Sequence, residues 1–416
     1  MMLTYSAEAT LICCAIILIY SVLYRGGKKI QGEDFVVALL LVCISGFRYG
    51  LGSDYFRYLE SYGKAVHLFH DLRYLFSPAI LKEWSYEVGY ELLCVFTSRV
   101  SDSPYAIFWS TSLLMYVPLV WYCRKRTCSA RAAIAVFLLF GFWGMSLNIV
   151  KQAVSMIFIL LCYDALERKK YVQTFLALIA AFAFHSSAIV AFLLLLIVHT
   201  GFMKKWWMPT KKNLYFWTAI GVGMRFGTSV FIKIASHISF FSKYVHYLYA
   251  DSTDNISRKY IMFGAFFETV FVFGLLYYAI QNLDWMRNTN PKIENIISLI
   301  MLGLPFSIIG ISRTLWLANR FAKYLFLFLI VLIPEMVHKH PFRIRTKADS
   351  WLSRIVAVIY SAQKTDSKRE IVLNPARALF WCMMVGWHVV YNLFLLDNNK
   401  FQIGTYLFGL SHIKGG

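Results

Sequence analysis

Hydrophobic residues occur along the chain in long blocks that are separated by short polar and charged segments. The blocks include LICCAIILIY, AIVAFLLLLIVHTGF and YLFLFLIVLIP. A helix needs roughly 20 mostly apolar residues to cross the hydrocarbon of a bilayer. The pattern therefore predicts an all-α, polytopic membrane protein. About twelve spans are expected, near residues 8–24, 34–47, 104–123, 132–147, 153–166, 171–185, 187–202, 213–228, 259–281, 295–312, 321–336 and 379–396.

Composition agrees with a membrane protein, because 59% of the residues are hydrophobic and 15% are charged. Soluble domains are closer to one quarter charged. The formal net charge is +20, which in a soluble protein would suggest a nucleic-acid partner. Here an excess of Lys and Arg in cytoplasmic loops explains the charge, so no nucleic acid is expected. The eight cysteines form no CxxC pair, and we interpret them as buried thiols.

The distribution of Lys and Arg predicts the orientation of the chain. More than half of them lie in one set of loops: 25–29, 124–131, 167–170, 204–212, 286–292 and 338–378. The positive-inside rule places these loops in the cytoplasm. Residues 1–416 then form one integral membrane domain, with an extracytoplasmic segment at 48–103. We expect 87–100 to be re-entrant or interfacial, because this short run carries Glu87, Glu91 and Arg99.

The cytoplasmic segment 338–378 contains WLSRIVAVIY between basic flanks. This pattern predicts an amphipathic helix that lies on the anionic inner leaflet. A surface helix packed against the bundle would have the same pattern. Neither interpretation indicates an activity.

Polar and charged side chains collect at the predicted outward end of the bundle. Charged groups at membrane depth cost about 2.5–3.5 kcal/mol on insertion scales, so they persist where they face water or pair with each other. A basic pocket at the interface suits an anionic ligand with an apolar tail, such as a lipid diphosphate. The candidate substrate-binding residues are Arg48, Tyr55, Tyr58, Asn148, Lys151, Gln152, Arg313 and Arg320.

Arginine suits such a ligand because its planar guanidinium binds phosphate oxygens in bidentate fashion. Arg313 and Arg320 are about two helical turns apart and would share a face if one helix continued through both. The alternative is that these arginines, like Lys151, extend from helix ends to lipid headgroups.

Three residues are candidates for a general base. Asp54 follows a glycine-rich turn and would orient or deprotonate a hydroxyl, or would pair with Arg48 to hold the loop. Glu87 is the second candidate. His185, in the turn FHSS, is the third, although a lone histidine is more often structural. Tyr55 and Tyr58 would offer flat faces to sugars, but interfacial aromatic belts have the same composition.

Several motifs together resemble the EpsG branch of the Wzy bacterial polysaccharide polymerases. They are FRYGLGSDYFRYLESY, EVGYELL, SLNIVKQAVS, AFHSSAIVAFLL and a late R…NR…Y, over about residues 45–325. The family usually has Arg where this chain has Lys151, which keeps the charge and lacks the guanidinium fork.

The resemblance implies a multi-span, lipid-linked glycosyltransferase of GT-C-like architecture that needs no metal or cofactor. Such polymerases join undecaprenyl-diphosphate-linked oligosaccharides at the outer face of the bacterial inner membrane. They make O-antigen, capsule or exopolysaccharide. A chain-length regulator and a flippase are candidate partners, besides membrane lipid. A lipid-linked oligosaccharide flippase or other transporter, an O-antigen ligase and a purely structural membrane scaffold are the alternatives.

Overall fold

We analysed a computed structural model of the chain, in which most of the described residues belong to one bundle of α-helices. The structure describes residues 12–17, 19, 32–48, 50, 54–68, 87–227, 255–312, 317–338, 344–347, 370–373, 384 and 386. Most of the expected spans 8–24 and 379–396, Arg313 and the predicted amphipathic helix at 351–360 lie outside these residues.

A helical stretch at 12–17 precedes sixteen helices whose full bounds are defined within the described part of the chain. These are α1 (Glu33–Gly46), α2 (Tyr55–Leu68), α3 (Val88–Ser98), α4 (Ala106–Arg126), α5 (Ala130–Leu139), α6 (Phe142–Asn148), α7 (Val150–Glu167), α8 (Tyr171–Phe184), α9 (Ala188–Thr200), α10 (Lys204–Trp207), α11 (Lys211–Phe226), α12 (Asn255–Gln281), α13 (Leu283–Thr289), α14 (Ile293–Gly310), α15 (Ala318–Phe326) and α16 (Leu329–His338).

Local sequence explains several helix boundaries. Ser129 caps α5 by accepting a hydrogen bond from the amide of Ala132, and Thr210 caps α11 in the same way. Gly141 has φ 89, a left-handed conformation that suits glycine, and it separates α5 from α6. The two helices consequently meet at an angle of 58°.

Within the described residues, three helices are long and apolar enough to cross a membrane, at Ala106–Arg126, Met262–Gln281 and Ile293–Gly310. The bent pair of α5 and α6 would make a fourth. The membrane-protein class is therefore supported, whereas the number of twelve spans and the GT-C-like architecture stay predictions. The helix α3 has 11 residues, fewer than a full span needs.

The core of the bundle lies around α14, which packs against α11, α12 and α15. A second set of contacts joins α7 to α8, and α1 to α4. Besides the helices, the described residues include a short antiparallel ribbon, in which β1 (Ile344–Lys347) pairs with β2 (Glu370–Leu373) and Ile344 lies opposite Leu373. The predicted basic loop 338–378 thus contains two strands.

Cysteine burial differs from the prediction at two positions. Cys13, Cys94, Cys123 and Cys162 are buried free thiols, as expected, and Cys43 is half-buried. By contrast, Cys14 and Cys128 are exposed. The interpretation as buried thiols was wrong for these two, because Cys14 lies on an exposed face of its helical stretch and Cys128 lies in the basic segment between α4 and α5. Cys382 lies outside the described residues.

Ion pairs connect the helices at one end of the bundle, which we call the Glu167 end. Glu167 of α7 contacts Lys292 and His199, each at 3.2 Å. Arg124 of α4 pairs with Asp34 of α1 at 2.6 Å. Four of the loops that were predicted to be cytoplasmic lie at this end: 124–131, 167–170, 204–212 and 286–292. The opposite end, which we call the Lys151 end, contains the ends of α6, α8 and α14 and the beginnings of α7, α9 and α15.

Candidate functional site at the Lys151 end

The break between α6 and α7 brings polar side chains from distant segments together. Ile149 has non-helical backbone angles, so α6 ends at Asn148 and α7 begins one residue later. Asn148 accepts a hydrogen bond from the amide of Asp54 at 3.5 Å between N and Oδ1. Lys151 donates to Glu87 at 2.6 Å between Nζ and Oε2. The end of α6 and the first turn of α7 are therefore connected to the segments of Asp54 and Glu87.

The next residue of α7, Gln152, connects this helix to the late arginine motif. Its Nε2 donates to the carbonyl oxygen of Arg320 at 2.7 Å. The side chain is buried, and its Oε1 has no hydrogen-bond partner among the described residues. Buried polar atoms are normally satisfied, so an acceptor left open beside Arg320 suggests a place for a ligand donor such as a sugar hydroxyl.

A close helix approach holds α15, and with it Arg320, against the rest of the site. A Cβ added at Gly310 would lie 2.7 Å from the Cβ of Asn319. Only glycine therefore allows the end of α14 to approach the beginning of α15 this closely. Because Asn319 is the direct neighbour of Arg320, this contact fixes the backbone that Gln152 binds.

The Glu87–Lys151 pair is partly buried, which strengthens its electrostatic interaction. Burial alone would raise the pKa of the Glu87 carboxyl. The charges of Lys151 and His185, together with the hydrogen bond from Lys151, outweigh burial and lower the pKa below its ordinary value. A carboxylate with a lowered pKa is a weak base, so the geometry favours Glu87 as the partner that holds Lys151 in place.

Glu91, one helical turn after Glu87, faces a different neighbour. It is buried and accepts a hydrogen bond from Ser61 of α2 at 3.1 Å. Gly89 lies between the two glutamates, and a Cβ there would lie 2.9 Å from the carbonyl carbon of Ala183 in α8. This close approach of α3 and α8 brings Glu87 towards His185.

His185 begins a chain of hydrogen bonds that runs into the bundle. Its Nδ1 lies 2.6 Å from the Oγ of Ser187, which donates to the hydroxyl of Tyr324 at 3.1 Å. Tyr324 donates to the Oγ of Ser155 at 3.0 Å, and Ser155 donates to the carbonyl oxygen of Ala181 at 2.8 Å. The histidine turn is therefore connected to α7, α8 and α15.

Arg48 is buried at the end of α1 and is 1% exposed. Its Nη1 donates to the carbonyl oxygen of Ser45 at 2.9 Å, and its guanidinium lies 4.2 Å from the centroid of the Phe108 ring. Its Nε and Nη2 have no hydrogen-bond partner among the described residues. A buried charge with open donors is costly, which favours an anionic ligand at this position.

The predicted tyrosines pack around Arg48, and their faces are occupied in this conformation. Tyr55 stacks on Phe108 with ring centroids 4.5 Å apart and donates to the carbonyl oxygen of Arg48 at 3.2 Å. Tyr58 is buried against Tyr90, with ring centroids 5.3 Å apart. Tyr55 therefore connects α2 to the end of α1, and Tyr58 connects α2 to α3, while their predicted contact with sugars stays a prediction.

The ion pair that the structure shows for Asp54 is with Arg57, at 4.0 Å. The expected pair between Asp54 and Arg48 is not among the ion pairs of the described residues, and Arg48 instead contacts Ser45 and Phe108. The backbone turns at Gly50, whose φ is 66, as the glycine-rich sequence predicted.

Three charged residues near this end were not predicted from the sequence as part of the site. Arg225, near the end of α11, donates to the carbonyl oxygen of Ile311 at 2.6 Å. Lys323 of α15 pairs with the buried Glu268 of α12, to which Asn319 also donates at 3.5 Å. The available signal was a charge inside an apolar run, which is costly unless it is paired.

Two cavities at the surface of the bundle are lined by other residues. One, of about 470 Å³, lies between α3 and α4 and is lined by Trp109 and Tyr105. The other, of about 570 Å³, lies between α4, α7 and α8 and is lined by Trp121 and Arg168. Among the described residues, no group of three or more His, Cys, Asp and Glu side chains could hold a metal ion.

Comparison with known proteins assigns the chain to a family. A family model described as the EpsG family matches residues 34–364, which is most of the chain and includes every described site residue. No curated protein and no solved structure matches the chain. The chain therefore belongs to the EpsG family, and this membership indicates a membrane enzyme of polysaccharide biosynthesis.

Proposed function

We propose that the protein is a polysaccharide polymerase of the bacterial inner membrane whose site faces the periplasm or exterior. Its substrates are oligosaccharide repeats linked to undecaprenyl diphosphate. The growing chain on one carrier is the donor, and the repeat on a second carrier is the acceptor. An acceptor hydroxyl attacks the anomeric carbon of the donor, and undecaprenyl diphosphate leaves with the electrons of the broken bond. The family match supports the general class, and the Lys151 end supplies the chemistry.

The single observation that carries the proposal is the convergence of polar groups at the break between α6 and α7. Asn148, Lys151 and Gln152 contact three segments that are far apart in the sequence, at Asp54, Glu87 and Arg320. A structural scaffold would not need this concentration of charge at one end. A transporter would need charged groups along its whole path, including the middle of the bundle.

The electrostatics of this end favour a departing diphosphate. The N-terminus of an 18-residue helix carries a partial positive charge and unsatisfied N–H groups, and α7 begins here. Lys151 is paired with Glu87, so the proposal assigns the diphosphate to Arg48, whose Nε and Nη2 have no hydrogen-bond partner among the described residues, together with Arg320. Donors that are already in place stabilise charge as it develops on the leaving group.

The experiment uses a strain that lacks its own copy of the gene and expresses variants of this chain. We expect Arg320→Ala and Arg48→Ala to abolish the ladder of long polymer and to leave the product with a single repeat. Lys64→Ala is the control, because Lys64 is an exposed residue of α2 that pairs with Glu60 of the same helix at 2.8 Å. Normal chain lengths in both arginine variants would refute the cationic site.

The same strain also distinguishes a polymerase from a ligase and from a flippase. Loss of a ligase leaves long polymer attached to the lipid carrier and none on the outer-membrane core. Loss of a flippase leaves lipid-linked repeats on the cytoplasmic side, which are protected from enzymes added outside. Loss of a polymerase leaves single repeats, which are still transferred to the outer-membrane core.

A further inference from the structure

The hydrogen-bond chain from His185 into the bundle has a direction. Ser187, Tyr324 and Ser155 are all buried, so water does not compete for their hydroxyls. The chain ends at the carbonyl oxygen of Ala181, which can only accept. Each hydroxyl has one hydrogen to donate. Ser155 therefore donates to Ala181, Tyr324 donates to Ser155, and Ser187 donates to Tyr324.

This direction determines what Ser187 can do for His185. The hydroxyl hydrogen of Ser187 points towards Tyr324, so Ser187 Oγ must accept from His185 Nδ1 across the 2.6 Å contact. The backbone amide of Ser187 also lies 3.3 Å from Nδ1 and would favour the opposite tautomer. The shorter contact is the stronger one, and it belongs to a chain whose bonds polarise one another.

We propose that Tyr324 and Ser155 are positioning residues that hold His185 with its proton on Nδ1. The inference rests on the proposed function and selects His185 from the three candidate bases. The lone pair of Nε2 then accepts the proton of the acceptor hydroxyl. That oxygen forms its bond to the anomeric carbon, and the bond from this carbon to the diphosphate oxygen breaks. The leaving diphosphate keeps the electron pair.

The surroundings of His185 stabilise the imidazolium that this step produces. Nδ1–H continues to donate to Ser187, and the carboxylate of Glu87 interacts favourably with the new positive charge. Glu87 therefore contributes twice, because it also holds Lys151. The imidazolium returns its proton to water after the product leaves.

The test compares two tyrosine-to-phenylalanine variants in purified protein supplied with undecaprenyl-diphosphate-linked repeats. Tyr324→Phe removes the hydroxyl that accepts the hydrogen bond from Ser187. Tyr163→Phe is the matched control, because Tyr163 is a buried tyrosine of α7 whose hydroxyl has no hydrogen-bond partner among the described residues. We expect Tyr324→Phe to lower kcat about tenfold at unchanged KM, per folded molecule, and Tyr163→Phe to leave both constants unchanged.

A spectroscopic readout tests the tautomer without relying on activity. In ¹⁵N-histidine-labelled protein, the His185 signals are identified by their loss in His185→Gln. We expect the Nδ1-protonated pattern in the native chain and the Nε2-protonated pattern in Tyr324→Phe and in Ser155→Ala. Ser155→Thr, which keeps the hydroxyl, should retain the native pattern.

The outcomes separate the two proposals. A native Nε2-protonated pattern, or a tautomer that is unchanged in both Tyr324→Phe and Ser155→Ala, would overturn the positioning role. A native enzyme that joins no repeats would overturn the proposed function, while the NMR result would still decide the tautomer. A loss of kcat that only follows the fraction of folded protein would show a structural role for Tyr324.

Discussion

The contact between Gly310 and Asn319 allows a quantitative test of how α15 is held. In Gly310→Ala the new Cβ would lie 2.7 Å from the Cβ of Asn319 and 2.8 Å from its backbone nitrogen. Carbon atoms in contact normally stand about 3.5–4.0 Å apart. Because these atoms belong to the backbone or are fixed to it, no rotamer change relieves the clash. The beginning of α15 must move by roughly 1 Å.

That displacement has two expected effects. Overpacking of this kind costs about 1–3 kcal/mol of folding free energy. It also draws the carbonyl oxygen of Arg320 away from Gln152, from 2.7 Å to a distance at which little hydrogen bond remains. A misplacement of about 1 Å in a site can lower the rate about a hundredfold. We therefore expect Gly310→Ala to retain its fold and to lose most of its polymerisation rate.

The assay measures thermal unfolding and polymerisation rate on the same detergent-purified samples. Gly274→Ala is the matched control, because a Cβ at Gly274, in α12, has nothing within 4 Å. The control should keep its activity and unfold at or above the unfolding temperature of the native protein, since alanine has a higher helix propensity than glycine. If Gly310→Ala behaves like Gly274→Ala in both measurements, close packing does not position Arg320.

Three further predictions concern charged groups. Lys323→Met leaves the carboxylate of Glu268 without its ion-pair partner inside the bundle and should lower the free energy of unfolding by about 3–5 kcal/mol. The double variant Lys323→Met/Glu268→Met should recover most of this loss, and equal stability of the single and double variants would contradict the prediction. The pKa of Glu87 is lower in the folded chain than its ordinary value of about 4.3. Its pair with Lys151 therefore stabilises the fold fully at pH values above the ordinary pKa, and this stabilisation is lost as the pH falls through the folded-state pKa. The difference in Tm between native protein and Glu87→Gln should therefore be steady from pH 7 to about 5 and shrink as the pH falls below about 4. A difference that does not shrink as the pH falls would refute the pairing. Arg313→Lys should restore little of the polymer lost in Arg313→Ala, because an ammonium cannot make the bidentate contact, and a full ladder in Arg313→Lys would contradict that role.

The apolar blocks of the sequence predicted where many of the helices lie. The span expected at 171–185 corresponds to α8, and the span at 153–166 to α7, which begins three residues earlier. The span expected at 132–147 is two helices, because Gly141 takes a left-handed conformation. The span expected at 321–336 is likewise divided, at 327–328, into α15 and α16. Hydropathy detects apolar length and does not detect a change of direction within it.

The candidate site could be predicted at the level of which residues share one end of the bundle. Glu87, Lys151 and His185 were selected because each lies where an apolar run stops, and the structure places them near one another. Pairing could not be predicted, since it depends on helix rotation and on close approaches at single glycines. The sequence therefore did not show that Arg48 is buried on the Phe108 ring, or that Lys323 meets Glu268.

The most direct measurement of the proposed function uses the purified protein in a bilayer with one defined undecaprenyl-diphosphate-linked repeat. Chain length and released undecaprenyl diphosphate are measured together over time. The proposal predicts products with two or more repeats on one carrier, with one undecaprenyl diphosphate released for each new bond, and loss of both in Arg320→Ala. An unchanged repeat, or a repeat that only crosses the bilayer, would contradict it.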